Sequence, residues 1–322
     1  MFVPGRVCLL GEHCDWAGGS SLVAPMPLGI RPRFLPAAPG EARELHVSSH
    51  VSSGALTARY PLPPGALNPD DPLRYVAAVA AELTARGHAP PSGTLTLVSD
   101  LPQGRGFSSS AALCVAAARA LAPGLGREEE ADVAYVAERE RVGVACGRLD
   151  PIACAWGQVL HLQWRASARA ASPGLTGLAG PPPLAVAAFS APRDTPGILA
   201  ALSRGHRDEG RVGGEVRAAI ARWGALATGG AAALERGDLP ALGRCMDDAQ
   251  SAYEGLMAEL PALAAPGLVG AAAALRRAGA LGAKFSGAGG DGSVIALGRD
   301  RAQARALAAL LAARGLSTWV IG

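Results

Sequence analysis

The chain has 322 residues, of which 49% are hydrophobic and 18% charged, so it can bury a sizeable core and is not an extended disordered chain. Its formal net charge of +3 is too small to point to nucleic acid or an anionic membrane, and neither is expected as a partner. Length sets an expectation of about two domains. The segment 5–10 reads as a short buried strand, followed by a polar, glycine-bounded loop from Gly11 to Gly19 and an apolar, proline-broken strand over 21–30. Alternation predicts strands over 44–48 and 55–60, with a loop from Pro61 to Pro72. Helical spacing covers 73–86, stopped by Gly87, and β-branched content predicts a strand over 93–100. Helices are expected over 109–122 and 128–142, with a further one from near Asp150.

Residues 158–164 and 184–190 read as strands, and Ala166 to Pro183 as a loop or domain junction. From about 194 the pattern turns helical, over 195–204, 210–228, 230–236, 239–257 and 267–278. A glycine-rich turn then leads to a strand over 293–297, a helix over 300–314 and a last strand over 316–321. Strands and helices mix without regular βαβ alternation, which predicts an α+β architecture, divided at 1–182 and 183–322. The six cysteines form no CxxC pair and no zinc spacing. Pro4 and Gly5 lead straight into charged residues, so no cleavable signal is expected, and the apolar stretches carry Arg, Gly or Pro. A reducing cytoplasm with free thiols is the resulting expectation. Arginine supplies nearly all the positive charge, and Lys284 is the single lysine.

Four segments carry candidate chemistry. The run Leu101-Pro-Gln-Gly-Arg-Gly-Phe-Ser-Ser-Ser-Ala111 follows a strand and opens an alanine-rich helix. Small residues there let backbone approach a polyphosphate, with the first helical N–H groups facing the anion, and serine hydroxyls can reach Mg²⁺. No GK[ST] follows, so it is not a Walker loop, and an ordinary serine N-cap reads the same way. The second run, Lys284-Phe-Ser-Gly-Ala-Gly-Gly-Asp-Gly-Ser293, is a turn that can wrap phosphate or simply connect two elements. The third, Pro4 to Gly19, gathers Glu12, His13 and Asp15 on a loop held by a strand, which suits a polyol or a solvated loop. The fourth holds Glu138 and, twelve residues on, Asp150. One carboxylate there can meet a metal and another can orient a hydroxyl, or both can be a salt-bridged face and a helix cap before Pro151.

Together and in this order, the four segments resemble the GHMP kinase superfamily, with the first and second motifs closest to galactokinases. The resemblance implies a two-domain fold: an N-terminal ribosomal protein S5 domain 2-like part, a C-terminal ferredoxin-like α/β part, and an active site between them. It implies ATP and Mg²⁺ as cofactors and a sugar as substrate, phosphorylated on its anomeric hydroxyl, by a monomer or homodimer. On the matching positions, it assigns Asp150 as base and Arg6 to the reacting region. Glu12, His13 and Asp15 would bind the sugar. Gly104, Gly106, Ser108, Ser109, Ser110, Gly287, Ala288 and Gly289 would hold ATP, and Ser110 with Glu138 would hold the metal.

Several positions depart from the galactokinase pattern. Trp16 stands where tyrosine is usual, and Pro151 where glutamine is. Ser286-Gly-Ala-Gly289 is closer to the mevalonate and phosphomevalonate branch, Asp291 puts a carboxylate beside a phosphate turn, and no tyrosine-containing sugar contact is found after residue 190. Two alternatives therefore stand: a kinase for mevalonate or another alcohol, with Arg193, Arg204 and Arg207 as its basic residues, and a non-catalytic sugar sensor.

Overall fold

The computed structural model describes residues 1–52, 54–165, 173–190 and 194–322. In chain order the elements are β1 (Val3–Leu10), α1 (Cys14–Ala17), β2 (Gly19–Pro36), β3 (Glu44–Val51), β4 (Gly54–Pro61), α2 (Arg74–Ala85) and β5 (Gly93–Ser99). Then come α3 (Ser109–Leu121), α4 (Arg127–Val136), a π-helical turn (Ala137–Arg141), α5 (Leu149–Trp156), β6 (Leu160–Trp164), β7 (Gly174–Gly177) and β8 (Leu184–Ala188). The remainder is α6 (Thr195–Arg207), α7 (Arg211–Glu235), α8 (Leu239–Met257), α9 (Pro266–Arg277), β9 (Gly282–Phe285), β10 (Ser293–Leu297), α10 (Arg301–Ala312) and β11 (Ser317–Ile321), with one 3₁₀ turn at Pro261–Leu263. Two compact units are interleaved along this chain. The first takes Met1–Arg6, Met26–Gln103 and Phe107–Gly157; the second takes Val7–Pro25, Gly104–Gly106 and Gln158–Gly322.

In the first unit, β4, β3, β5 and the later half of β2 lie side by side. β3 pairs antiparallel with β4 and parallel with β5, which in turn pairs antiparallel with Ile30–Pro36. Alternation buries Leu45, Val47, Leu95 and Leu97 on one face while His46, Ser48, Thr94 and Thr96 take the other. The alanines of α3, among them Ala112, Ala116 and Ala117, are fully buried, so α3 packs closely against its neighbours α2, α4 and α5. The expected helix over 128–142 is instead α4 followed by the π-turn, which re-aims the side chains after Val136.

In the second unit, Gly19–Val23 pairs with β6, and β6 with β7. A separate antiparallel sheet runs β11-β8-β10-β9, its buried alanines and Val294 packed with Leu275, Leu307 and Leu311 of α9 and α10. The proline-broken strand is longer than expected, because Pro25 and Pro27 fall between the stretch paired with β6 and the stretch paired with β5 and interrupt neither ladder. The two helices expected over 210–228 and 230–236 are one, α7. Gly230 does not break it; a Cβ there would come within 2.3 Å of Leu10 Cδ1, so glycine is what lets the helix lie against that side chain. The glycine-bounded loop holds the one-turn α1, and β7 appears inside the expected 166–183 loop, whose residues 166–172 lie outside the described ones.

Candidate active site

The first unit gathers Arg6, Ser110, Glu138 and Asp150 around the start of α3. Arg6 is carried by β1, which runs so close to the 101–107 loop that a Cβ on Gly5 would lie 2.6 Å from the Phe107 carbonyl oxygen. Glycine at that position therefore brings the strand against the loop, and the Arg6 amide donates to the same carbonyl at 3.2 Å. Arg6 reaches Asp150 in the first turn of α5, with Nε 2.8 Å and Nη2 2.6 Å from Oδ1. Both donors converge on one oxygen, and Oδ2 accepts no hydrogen bond among the described residues. The Arg6 side chain is buried, whereas that of Asp150 is 31% exposed. Asp150 is thus not the cap of its helix, a place taken by Arg148, and Pro151 sits inside the first turn without disturbing the Arg6 bond.

Glu138, at the second position of the π-turn, is only 4% exposed. Burial pushes its carboxyl up from 4.5 to about 7, against a hydrogen bond from Ser110 and with the Asp150 charge adding to the rise. No arginine, lysine or histidine pairs with it among the described residues. Ser108 adopts left-handed backbone (φ 59°) without capping α3, and its buried hydroxyl has no hydrogen-bond partner among the described residues. The serine run therefore does not act as a plain N-cap: it leaves the first amides of α3 uncapped by any side chain, with no acidic residue in that turn. Gly104 and Gly106, at φ 68° and 85°, supply the turns before it.

The second unit carries the 11–19 loop and the third glycine-rich run. Glu12 and His13 are buried, and His13 (φ 67°) places its ring between Trp16 and Trp223, with centroids 6.0 and 5.9 Å away. Glu12 pairs with the ammonium of Lys284, which is fully buried on β9 and lies 4.1 Å over the Phe285 ring. Asp15 sits half-buried in α1. Between them, burial, reinforced by the Asp15 and Glu12 charges, pushes the Cys14 thiol far up, so this sulfur is a packing group and not a thiolate.

The run 286–293 is bonded from within. Ser286 Oγ accepts from the Cys8 amide at 2.9 Å, and Ser293 Oγ donates to the Ser286 carbonyl at 3.0 Å. Gly287, Gly289 and Gly290 all take positive φ, with Ala288 between them. A Cβ on Gly289 would meet the Tyr253 ring at 2.7 Å. Tyr253 OH accepts from the Gly290 amide and donates to the Leu263 carbonyl, each at 2.7 Å. Asp291, the awkward carboxylate, turns away to accept from the Leu268 and Gly267 amides at 2.7 and 3.3 Å and caps α9. Sequence reasoning did not foresee the partners of Lys284 or the role of Tyr253. Their one signal is scarcity: a single lysine, and a single tyrosine after residue 190.

Models of two halves of one family match this chain: the GHMP kinases N terminal domain over 74–158 and the GHMP kinases C terminal domain over 231–315. The chain belongs to the GHMP kinases, with their two-domain fold of mixed helix and strand. Within that family its opening, residues 1–31, matches the galactokinase galactose-binding signature. A galactokinase of Mycobacterium tuberculosis is 33% identical over 158 residues, 48% of this chain and 42% of the relative, so the match spans less than half of that relative's length. In fold the chain is similar to a Lactococcus lactis galactokinase complexed with galactose, with a TM-score of 0.78 and 18% identity over 99% of this chain and 92% of the other. It is similar as well to an L. major mevalonate kinase in complex with R-mevalonate, at TM-score 0.73 and 20% identity over 99% and 94%. No helix among the described residues is long and apolar enough to cross a membrane.

Proposed function

We propose that this chain is an ATP-dependent phosphotransferase that phosphorylates a hydroxyl of a sugar, the anomeric hydroxyl of a galactose-like acceptor. The carrying observation is the grouping of an arginine-held Asp150 with a Ser110–Glu138 pair beside the uncapped start of α3. The galactose-binding signature over residues 1–31 and the galactokinase relatives support the sugar.

The residues fit a triphosphate and its metal. The Ser108 hydroxyl, unpartnered among the described residues, and the first α3 amides suit phosphate oxygens, and the costly buried Glu138 carboxylate suits a cation. No group of three or more His, Cys, Asp or Glu side chains able to hold a metal occurs among the described residues, so the remaining ligands would be phosphate oxygens and water. Mg²⁺ held by Ser110 and Glu138 would neutralise charge on the phosphates. Asp150 orients the acceptor hydroxyl through Oδ2 and takes its proton as the phosphoryl group leaves ATP. Arg6, donating twice to Oδ1, holds Asp150 turned so that Oδ2 stays available. By their place in the family pattern, Gly287, Ala288 and Gly289 are proposed for the nucleotide, and Glu12, His13 and Asp15 for the sugar. Glu12's pairing with Lys284 makes it a hydrogen-bond acceptor of fixed orientation in that role.

A second reading, an acceptor alcohol of the mevalonate kind, is favoured by the Ser286–Gly289 run and by exposed Arg204 on α6. Of the other basic residues, Arg207 donates to Ser203 Oγ at 2.8 Å and Arg193 lies outside the described residues. The deciding measurement is ADP release from Mg·ATP across monosaccharides, uronic acids, polyols and mevalonate. Turnover of a hexose that stops when its anomeric hydroxyl is methylated is expected; turnover of mevalonate alone would replace the sugar reading, and no turnover of any acceptor would end both.

A further inference from the structure

We infer that Arg86 is a positioning residue, the centre of a chain of ion pairs that sets the spacing between Glu138 and Asp150; the inference rests on the phosphotransfer reading of those two carboxylates. Arg86, at the end of α2, donates through Nε to Glu82 Oε1 and through Nη2 to Asp132 Oδ2 on α4, each at 2.7 Å. The other oxygen of each carboxylate holds a second arginine. Glu82 Oε2 accepts from Arg141 Nε at 2.8 Å and Nη2 at 2.7 Å, and Asp132 Oδ1 accepts from Arg148 Nη1 at 2.5 Å. The run Arg141–Glu82–Arg86–Asp132–Arg148 is therefore continuous.

What it ends on gives it meaning. Arg141 is the last residue of the π-turn, three after Glu138, and Arg148 is the cap of α5, two before Asp150. Between them residues 142–148 have no regular structure, and Gly143 turns at φ 84°. Its own bonds, from the Val144 amide to the Glu138 carbonyl at 3.1 Å and from Arg139 Nη1 to the Cys146 carbonyl at 2.5 Å, hold its first part to the π-turn and leave the end that enters α5 to other contacts. The chain of charges brackets it, tying both ends to α2 and α4. Exposed pairs are worth little, but the Glu82 side chain is 9% exposed and each carboxylate places one oxygen on each arginine, a geometry that restricts both partners. The pairs of this chain lie among α2, α4, the π-turn and the cap of α5, so it acts on the site through backbone position.

The test uses the full chain and two variants. Arg86→Met keeps the aliphatic stem and removes both pairs, and Arg86→Lys restores a charge able to hold one carboxylate at a time. Hydrogen exchange in Arg86→Met is expected to lose protection within 138–152 while α7 to α10 keep theirs. Its kcat is expected to fall at least about tenfold, since sub-ångström placement governs this step, with KM for ATP and acceptor within about twofold. Arg86→Lys should recover part of that loss. If Arg86→Met does not fold, Asp132→Asn, which weakens two links while keeping shape, is read in its place.

Unchanged exchange over 138–152 with unchanged kcat overturns the inference. So does protection lost across the whole unit with kcat falling only as the folded fraction falls. If the unmodified chain turns over no acceptor, the phosphotransfer reading is what fails, and exchange over 138–152 alone then decides whether Arg86 positions the two segments.

Discussion

Among the described residues of the first unit, Glu138 has no cationic side chain paired to it, the Ser108 hydroxyl has no partner and Asp150 keeps Oδ2 open; in the second, Lys284 reaches Oε1 of Glu12, the Cys8 amide donates to Ser286 and the amides of α9 to Asp291, while the buried Nε2 of His161, away from these loops, has no partner among the described residues. Buried polar groups without partners are costly, so a fold retains them where something outside the chain completes them. On the phosphotransfer reading the α3 mouth exchanges ligands, and the bonds behind the second unit's loops hold those loops in shape.

The largest effect expected on the ligand-facing side is Asp150→Asn. Asparagine can still accept from Arg6 but cannot take a proton, so kcat should fall by about 10²–10⁴-fold while binding of a non-hydrolysable ATP analogue stays within a few-fold. A variant that keeps full turnover would remove Asp150 from the chemistry. On the holding side, Lys284→Met strands the buried Glu12 charge and should destabilise the protein by about 3–5 kcal/mol in denaturant unfolding. Adding Glu12→Gln should return much of that loss. If the double variant is no better than the single one, the pair is not what ties the loop to β9.

Glu138 sharpens the comparison through pH. Its folded value of about 7 lies above the ordinary 4.5, so the folded chain holds a proton that the unfolded chain has released between those limits. Its contribution to stability is therefore fully present below about pH 4.5 and declines as pH rises to about 7, by up to about 3 kcal/mol at 1.4 kcal/mol per unit. Glu138→Gln should flatten that decline in thermal melts between pH 5 and 8. An unaltered slope would mean that the carboxyl is not protonated in the fold.

How much of this could be read from the residues alone differs between the two units for a physical reason. The serine run, Glu138 and Asp150 lie within 101–151 and face one another through local succession, so motif order placed them. Helix boundaries such as 239–257 followed from periodicity and matched α8 at both ends. The joining of α7 across Gly229 and Gly230 did not, because glycine reads as a breaker until Leu10, remote in sequence, is seen against it. The π-turn escaped as well, since its residues have an ordinary helical pattern. The Glu12–Lys284 pair spans 272 positions, and no local pattern carries a contact of that separation. Asp291 was legible as an anomaly in a phosphate turn, but its solution, the amides of α9, was not.

Asp291 gives the smallest of these effects and the cleanest discrimination. Its carboxylate takes the amides of Gly267 and Leu268, two of the groups that a helix beginning at Pro266 leaves unpaired, and Gly267 leaves room for it: a Cβ there would sit 3.0 Å from Oδ2. Asp291→Ala should therefore cost about 1 kcal/mol, as for loss of a helix cap, seen as a fall in melting temperature of about 2–4 °C. Asp291→Asn keeps an acceptor for Leu268 and should cost less. ATP affinity should hardly change in either, because the charge is spent on α9. Were the carboxylate instead turned toward phosphate, removing it would relieve repulsion and tighten ATP several-fold without touching the melt. Tighter nucleotide with an unchanged melting temperature would move Asp291 from the holding set to the ligand-facing one.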